Sequence, residues 1–141
     1  MFKLTPLTAA ILVMVSAQAM ADDSQSNQNQ NGTANIADVK QTKASFSSAT
    51  QQQLGQGNDA AAVQDTATGT IEQNQVGDYN AGYAEQLFED NSKITQQQTG
   101  AFNTAHASQS IGVGGGEVLQ QQEGTGNFSF VYQDNQESTS G

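Results

Sequence analysis

Cysteine, tryptophan and arginine are missing from the chain, proline occurs once at Pro6, and four lysines stand against 14 acids. Without cysteine no disulfide can staple the fold, so a small secreted chain must find its stability elsewhere. The shortage of bases argues against nucleic acid as a partner. Long apolar runs are also missing. The one that exists, Leu7 to Val15, is well short of the roughly 20 residues of a membrane-spanning helix. It follows Lys3 and precedes the small residues Ala19 and Ala21, the pattern of a cleaved secretory signal over residues 1–21. Removing it leaves 120 residues, in which Lys40, Lys43 and Lys93 face all 14 acids for a formal charge of −11.

Low apolar content, abundant Gln, Asn, Ser and Gly, and a strong net charge ordinarily describe a disordered chain. The positions of those residues describe something else. Five segments share the form Q-x-G-x-x-N-x₅-Q: "QNGTANIADVKQ" from Gln30, "QLGQGNDAAAVQ" from Gln53, "QVGDYNAGYAEQ" from Gln75, "QTGAFNTAHASQ" from Gln98 and "QEGTGNFSFVYQ" from Gln122. Their starts lie 23, 22, 23 and 24 residues apart. A further glutamine stands two residues ahead of each start, at Gln28, Gln51, Gln73, Gln96 and Gln120. A period of this length maintained over almost the whole secreted chain marks a repeat protein. The repeats occupy residues 24–41, 47–64, 69–86, 92–109 and 116–133 within a repeat region of 22–133, followed by a tail over 134–141.

Alternate residues of a strand face the same way. Read in steps of two on either side of G-x-x-N, one parity of each repeat is free of charge: Ser47, Ala49, Gln51 and Gln53, then Asn58, Ala60, Ala62 and Gln64. The opposite parity carries Lys93, Glu72, Glu117, Glu123, Asp38, Lys40, Asp59 and Glu85, as a solvated face does. Each repeat is therefore read as strand, tight corner, strand, with Gly32, Gly55, Gly77, Gly100 and Gly124 supplying unusual backbone angles at the corner. The fold class expected is all-β, a cross-β, amyloid-like β-solenoid of five strand-turn-strand rungs, about 24 Å tall at roughly 4.8 Å per rung. A helical repeat is disfavoured, because a glycine in every copy costs a helix about 1 kcal/mol and the polar columns form no apolar stripe.

A buried amide without a partner costs on the order of 1 to 3 kcal/mol. In a stack, each amide finds its partner in the identical residue one rung away. The ladder positions expected are Gln30, Asn35 and Gln41; Gln53, Asn58 and Gln64; Gln75, Asn80 and Gln86; Gln98, Asn103 and Gln109; and Gln122, Asn127 and Gln133. Open ladders expose unpaired backbone at both ends, and no capping segment is recognisable, so the partner expected is a second copy stacked along the solenoid axis. No column of the common frame carries an acid in successive rungs, and Glu89 and Asp90 fall in a return loop as gatekeepers or solubilising charges.

The run Ser47-x₅-Gln53-x-Gly55-x₂-Asn58-x-Ala60-x₃-Gln64 resembles the curlin repeat of bacterial curli fibres, as do Ser92 to Gln109 and Ser24 to Gln41. The resemblance implies a secreted, cell-surface functional amyloid subunit of a Gram-negative bacterium, serving adhesion and biofilm matrix. It also implies a second curlin-like subunit and an outer-membrane secretion pore as partners. Gly69 and Gly116 depart from the family's leading Ser, Gly82 and Ser129 from its Ala, and the glutamines two residues ahead of each repeat stand where the family more often has an apolar residue. Only Asp22 and Asp23 precede Ser24, so either the first repeat serves as the export address or export differs. Both the major fibre subunit and the nucleator remain open as roles.

No cofactor, metal site or enzymatic activity is expected. His106, the single histidine, shares an outward column with Tyr83 and Phe130. "GVGGGE" lacks the Lys-Ser/Thr ending of a phosphate loop, and Glu89 and Asp90 are adjacent rather than opposed across a cleft. The competing readings are a monomeric β-solenoid with a surface-binding face and a disordered linker. The outward aromatics Phe128, Phe130 and Tyr132 are candidates for a docking surface or for packing between fibres.

Overall fold

The structure, a computed structural model, describes residues 23–113 and 115–134, so the expected signal segment 1–21 and the tail beyond Asp134 lie outside the described residues. Nine strands follow in chain order: β1 (Gln25–Thr33), β2 (Ile36–Thr42), β3 (Ser48–Gln56), β4 (Asp59–Asp65), β5 (Thr68–Asp78), β6 (Ala81–Ala101), β7 (Thr104–Val113), β8 (Glu117–Thr125) and β9 (Phe128–Asp134). Every pairing is parallel and joins residues one repeat apart. The chain is thus a β-solenoid of about five turns.

Each turn has two arms. The first arms, β1, β3, β5, the later half of β6 and β8, stack in the register Gln30↔Gln53↔Gln75↔Gln98↔Gln122. The second arms, β2, β4, the earlier half of β6, β7 and β9, stack as Gln41↔Gln64↔Gln86↔Gln109↔Gln133. β6 runs through the return bend without a break, because Leu87, Glu89 and Asp90 keep pairing with Ser110, Gly112 and Val113. The expected return loop is here an extension of the sheet.

Between the arms lies a thin apolar seam in which size is balanced. Ile71, Ile94 and Val118 come from the first arms, while Ala62, Ala84 and Ala107 come from the second; in the earliest turns Val39 accompanies Ala49. Close packing requires that a large side chain on one arm meet a small one on the other. Beyond the seam the interior holds small alanines, such as Ala60 and Ala105, and many amides: Gln51, Gln64, Gln75, Gln86, Gln96, Gln98, Gln109, Asn58, Asn80 and Asn103 are fully buried.

At the corners the expected glycines do have positive φ, +125° at Gly55 and +113° at Gly77. Their second requirement is space. A Cβ on Gly55 would lie 2.0 Å from the carbonyl oxygen of Gly77, which itself would meet that of Gly100 at 2.0 Å. A further left-handed residue precedes each Asn, at Ala34, Gly57, Tyr79, Phe102 and Gly126. It rotates the backbone so that stacking continues around the bend: Tyr79 N–H donates to Gln56 O, and Phe102 N–H to Asp78 O. The return bends repeat the device at Lys43, Thr66, Phe88 and Ile111, where bulky or β-branched residues are ordinarily strained.

Candidate functional site: amide ladders and two open tips

The glutamines form three continuous hydrogen-bonded columns. Gln28, Gln51, Gln73 and Gln96 each donate Nε2–H to the Oε1 of the next, ending on Gln120, at 2.8 to 3.1 Å. Gln30, Gln53, Gln75 and Gln98 do so toward Gln122 at 2.8 to 3.0 Å. Gln41, Gln64, Gln86 and Gln109 do so toward Gln133 at 2.8 to 3.1 Å. All three run the same way, with the donor on the earlier turn.

The second amide hydrogen of the first-arm glutamines crosses the interior to a backbone carbonyl of the preceding turn. Gln51 reaches Asp38 O, Gln73 Ala61 O, Gln53 Ile36 O and Gln75 Asp59 O, at 2.7 to 3.0 Å. This contact offsets the two arms by part of a rung and binds one to the other.

The asparagines at the corners are wired differently from the glutamines. Asn58 Oδ1 accepts both the backbone N–H and the Nδ2–H of Asn80 (3.0 and 3.1 Å), and Asn80 Oδ1 accepts the same pair from Asn103. Asn58 Nδ2 in turn donates to Gly77 O at 2.7 Å, and Asn80 Nδ2 to Gly100 O at 3.0 Å. Asparagine thus satisfies the corner backbone in the way a cap does. All five glycines Gly32, Gly55, Gly77, Gly100 and Gly124 occupy one stacked column beside it.

The columns stop at both tips. Among the described residues β1 and β2 pair only with the turn after them, and β8 and β9 only with the turn before. Because the arms are offset, the uncovered strands are β1 at one tip and β9 at the other: Gln28 and Gln30 are half-buried and Ser26 is exposed, and at the far tip Asn127 is exposed and Ser129, Val131 and Gln133 are half-buried, while their counterparts within the stack are buried. Gln28, Gln30 and Gln41 receive no donor on Oε1 among the described residues, and Asn127 Oδ1 receives none either.

The outer faces carry two ring stacks: Tyr79 on Phe102 at 5.3 Å, and Tyr83, His106 and Phe130 in a column at 4.8 Å spacings. Lys93 pairs with Glu72 at 3.0 Å. Partial desolvation of Asp59 at its place on the outer face, and then the nearby Asp38 carboxylate, push its carboxyl above the ordinary value. Tyr83 is likewise raised, by burial first and then by Glu85. No group of three or more His, Cys, Asp or Glu that could hold a metal is present among the described residues.

One residue overturns its sequence reading. Glu89, expected in a solvated loop, is 3% exposed; its Oε2 accepts from Ser92 Oγ at 2.7 Å and its Oε1 has no partner among the described residues. It follows Ala44 and Ala67, both buried, as the residue three past the closing Gln, and the glycines at Gly69 and Gly116 flank its neighbour Ser92 in the leading column. Aligning the return bends on that Gln would have exposed the inward position.

No family model, no curated protein and no solved structure matches the chain.

Proposed function

We propose that the chain is a secreted structural subunit that assembles end to end into a curli-like functional amyloid fibre, a cell-surface polymer of a Gram-negative bacterium serving adhesion and biofilm matrix. The observation that carries this reading is that in-register amide columns run the whole length of the stack and, among the described residues, stop at both tips with their bonding capacity unmet. Such an edge is a template for another chain. The curlin-like spacing of Gln, Gly, Asn and Gln supports the same role, as does the signal-like leader for its location. A second curlin-like subunit and a secretion pore are the accessory partners this role calls for.

Purified secreted-length protein should pass from soluble to fibrous after a lag and diffract near 4.7 and 10 Å. Concentrated samples that remain monomeric for days would refute it. The Tyr83, His106 and Phe130 stack favours a second reading, a monomeric module or nucleator with an aromatic binding face. In that case the protein would remain monomeric while binding a surface, and alanine at Phe130 would abolish that binding and leave the β-type dichroism of the fold unchanged.

A further inference from the structure

Asparagine is followed by glycine at one place in the chain, Asn31–Gly32. The corner dictates the glycine: its φ is +128°, and a Cβ there would run into the carbonyl oxygen of Gly55. The residue ahead of it is not dictated in the same way. In the later turns that place is taken by Leu54, Val76, Thr99 and Glu123, so only the first turn sets a side-chain amide against the corner glycine. Asn31 is exposed on the outward side of β1, and β1 pairs with β3 alone among the described residues.

The asparagines of the interior are shielded twice. Asn58, Asn80 and Asn103 are buried with their amides bonded to Gly77 O, Gly100 O and Gly124 O. The residues after them, Asp59, Ala81 and Thr104, each carry a Cβ that hinders approach of the backbone nitrogen to the side-chain amide. Asn31 has neither shield. An extended strand holds the Gly32 nitrogen away from the Asn31 side chain, but a strand paired along one edge opens far more readily than the interior. Glycine then gives the opened backbone the freedom to close a five-membered ring.

We propose that Asn31 is a self-modifying site. The Gly32 nitrogen loses its proton to solvent and bonds to Asn31 Cγ; the Cγ–Nδ2 bond breaks, and the departing nitrogen takes a proton from water and leaves as ammonia. One water then opens the cyclic imide. Breaking the new Cγ–N bond gives aspartate on an unchanged backbone, whereas breaking the bond between the Asn31 carbonyl carbon and the Gly32 nitrogen gives isoaspartate, with the main chain routed through Cβ and Cγ. The net change is amide plus water to acid plus ammonia.

Isoaspartate matters to the fold because it adds one carbon to the main chain between Gln30, seated on Gln53, and Gly32, seated on Gly55. Both cannot stay in register. Holding the corner breaks the ladder bonds from Gln28 to Gln51 and from Gln30 to Gln53, at 3.1 and 2.8 Å. β1 is then released and β3 becomes the edge. The first turn is thereby undone by its own chemistry, and the inference stands on the solenoid alone, whether or not the chain forms fibres.

Secreted-length protein is incubated at mildly alkaline pH, digested, and analysed by mass spectrometry with fragmentation that separates aspartate from isoaspartate. Conversion at Asn31 should be about tenfold faster than at Asn29, an exposed neighbour on the same strand that is followed by Gln30. Hydrogen exchange of the isolated isoaspartate-bearing chain should show β1 unprotected and β5 to β7 unchanged. Fresh Asn31→Asp, which has the charge without the longer backbone, should keep β1 protected, and Asn31→Gln should stay unmodified over the same period. Conversion at Asn31 no faster than at Asn29 would overturn the site, and equal protection of β1 in isoaspartate-bearing and untreated chains would overturn its consequence.

Discussion

Gln75 occupies the middle of its column, where its side chain takes part in three hydrogen bonds of 2.8 Å: from Gln53, to Gln98 and to Asp59 O. Alanine there removes all three and leaves the fully buried Gln98 Oε1 without a donor. At about 1 kcal/mol net per bond and about 1 to 3 kcal/mol for the orphaned acceptor, the loss is about 4 to 6 kcal/mol, a large part of the stability of an ordinary domain. Gln30→Ala deletes one bond at the half-buried tip, where water can reach Gln53, and should lose only about 1 kcal/mol. Gln75→Leu keeps the volume but orphans the same acceptor, so it should resemble alanine rather than wild type. Urea titration followed by far-ultraviolet circular dichroism reads the three variants. Equal losses at Gln30 and Gln75, or a leucine variant as stable as wild type, would show that packing rather than amide pairing holds the interior.

Glu89→Ala restores the residue found at Ala44 and Ala67 and relieves a buried, half-satisfied carboxylate, so it should stabilise the fold by about 1 to 3 kcal/mol in the same titration. Gly77→Ala should prevent folding, seen as loss of the β-type dichroism, because its Cβ would meet a carbonyl oxygen; Gly124→Ala should fold and then fail to elongate seeded fibres. The raised carboxyl of Asp59 means that its stabilising contribution is full below the ordinary value of 3.8 and is lost as pH rises through its folded value. Asp59→Asn should therefore melt higher than wild type at neutral pH and lose that advantage near pH 3; an advantage that persists in acid would count against the assignment. Asp38→Asn should bring the Asp59 carboxyl back toward its ordinary value in an NMR titration, since the Asp38 charge contributes to raising it.

The sheet register was legible because Gln53, Gly55, Asn58 and Gln64 recur at spacings that tolerate no slip: a shift of one residue turns every inward amide outward. The burial of Gln51 and Gln73 followed from the same parity. What local chemistry hid is what stacking overrides. Thr66, Phe88 and Ile111 disfavour left-handed backbone when considered alone, yet the position is held by pairing with the turn on either side, as in Thr66 N–H to Thr42 O. Tyr79 and Phe102 obey the same rule before Asn80 and Asn103. Glu89 was hidden for another reason, since an acid beside Asp90, Asn91 and Ser92 reads as part of a solvated loop until the bend is known to belong to the sheet.

The columns stay aligned although successive turns contain 23, 22, 23 and 24 residues, and each change of offset falls in a return bend: between the pairs Thr42↔Asp65 and Ser48↔Thr70, between Thr68 and Gly69, and between the pairs Asp90↔Val113 and Lys93↔Glu117. The bends therefore take up slack that the arms cannot tolerate. A peptide inserted at the exposed Thr66, ahead of the buried Ala67, would project from the stack, and in a fibre it would recur once per subunit, at intervals of about 24 Å. Such a polymer would be a molecular ruler, able to carry cargo at fixed intervals without change to the surfaces that build it.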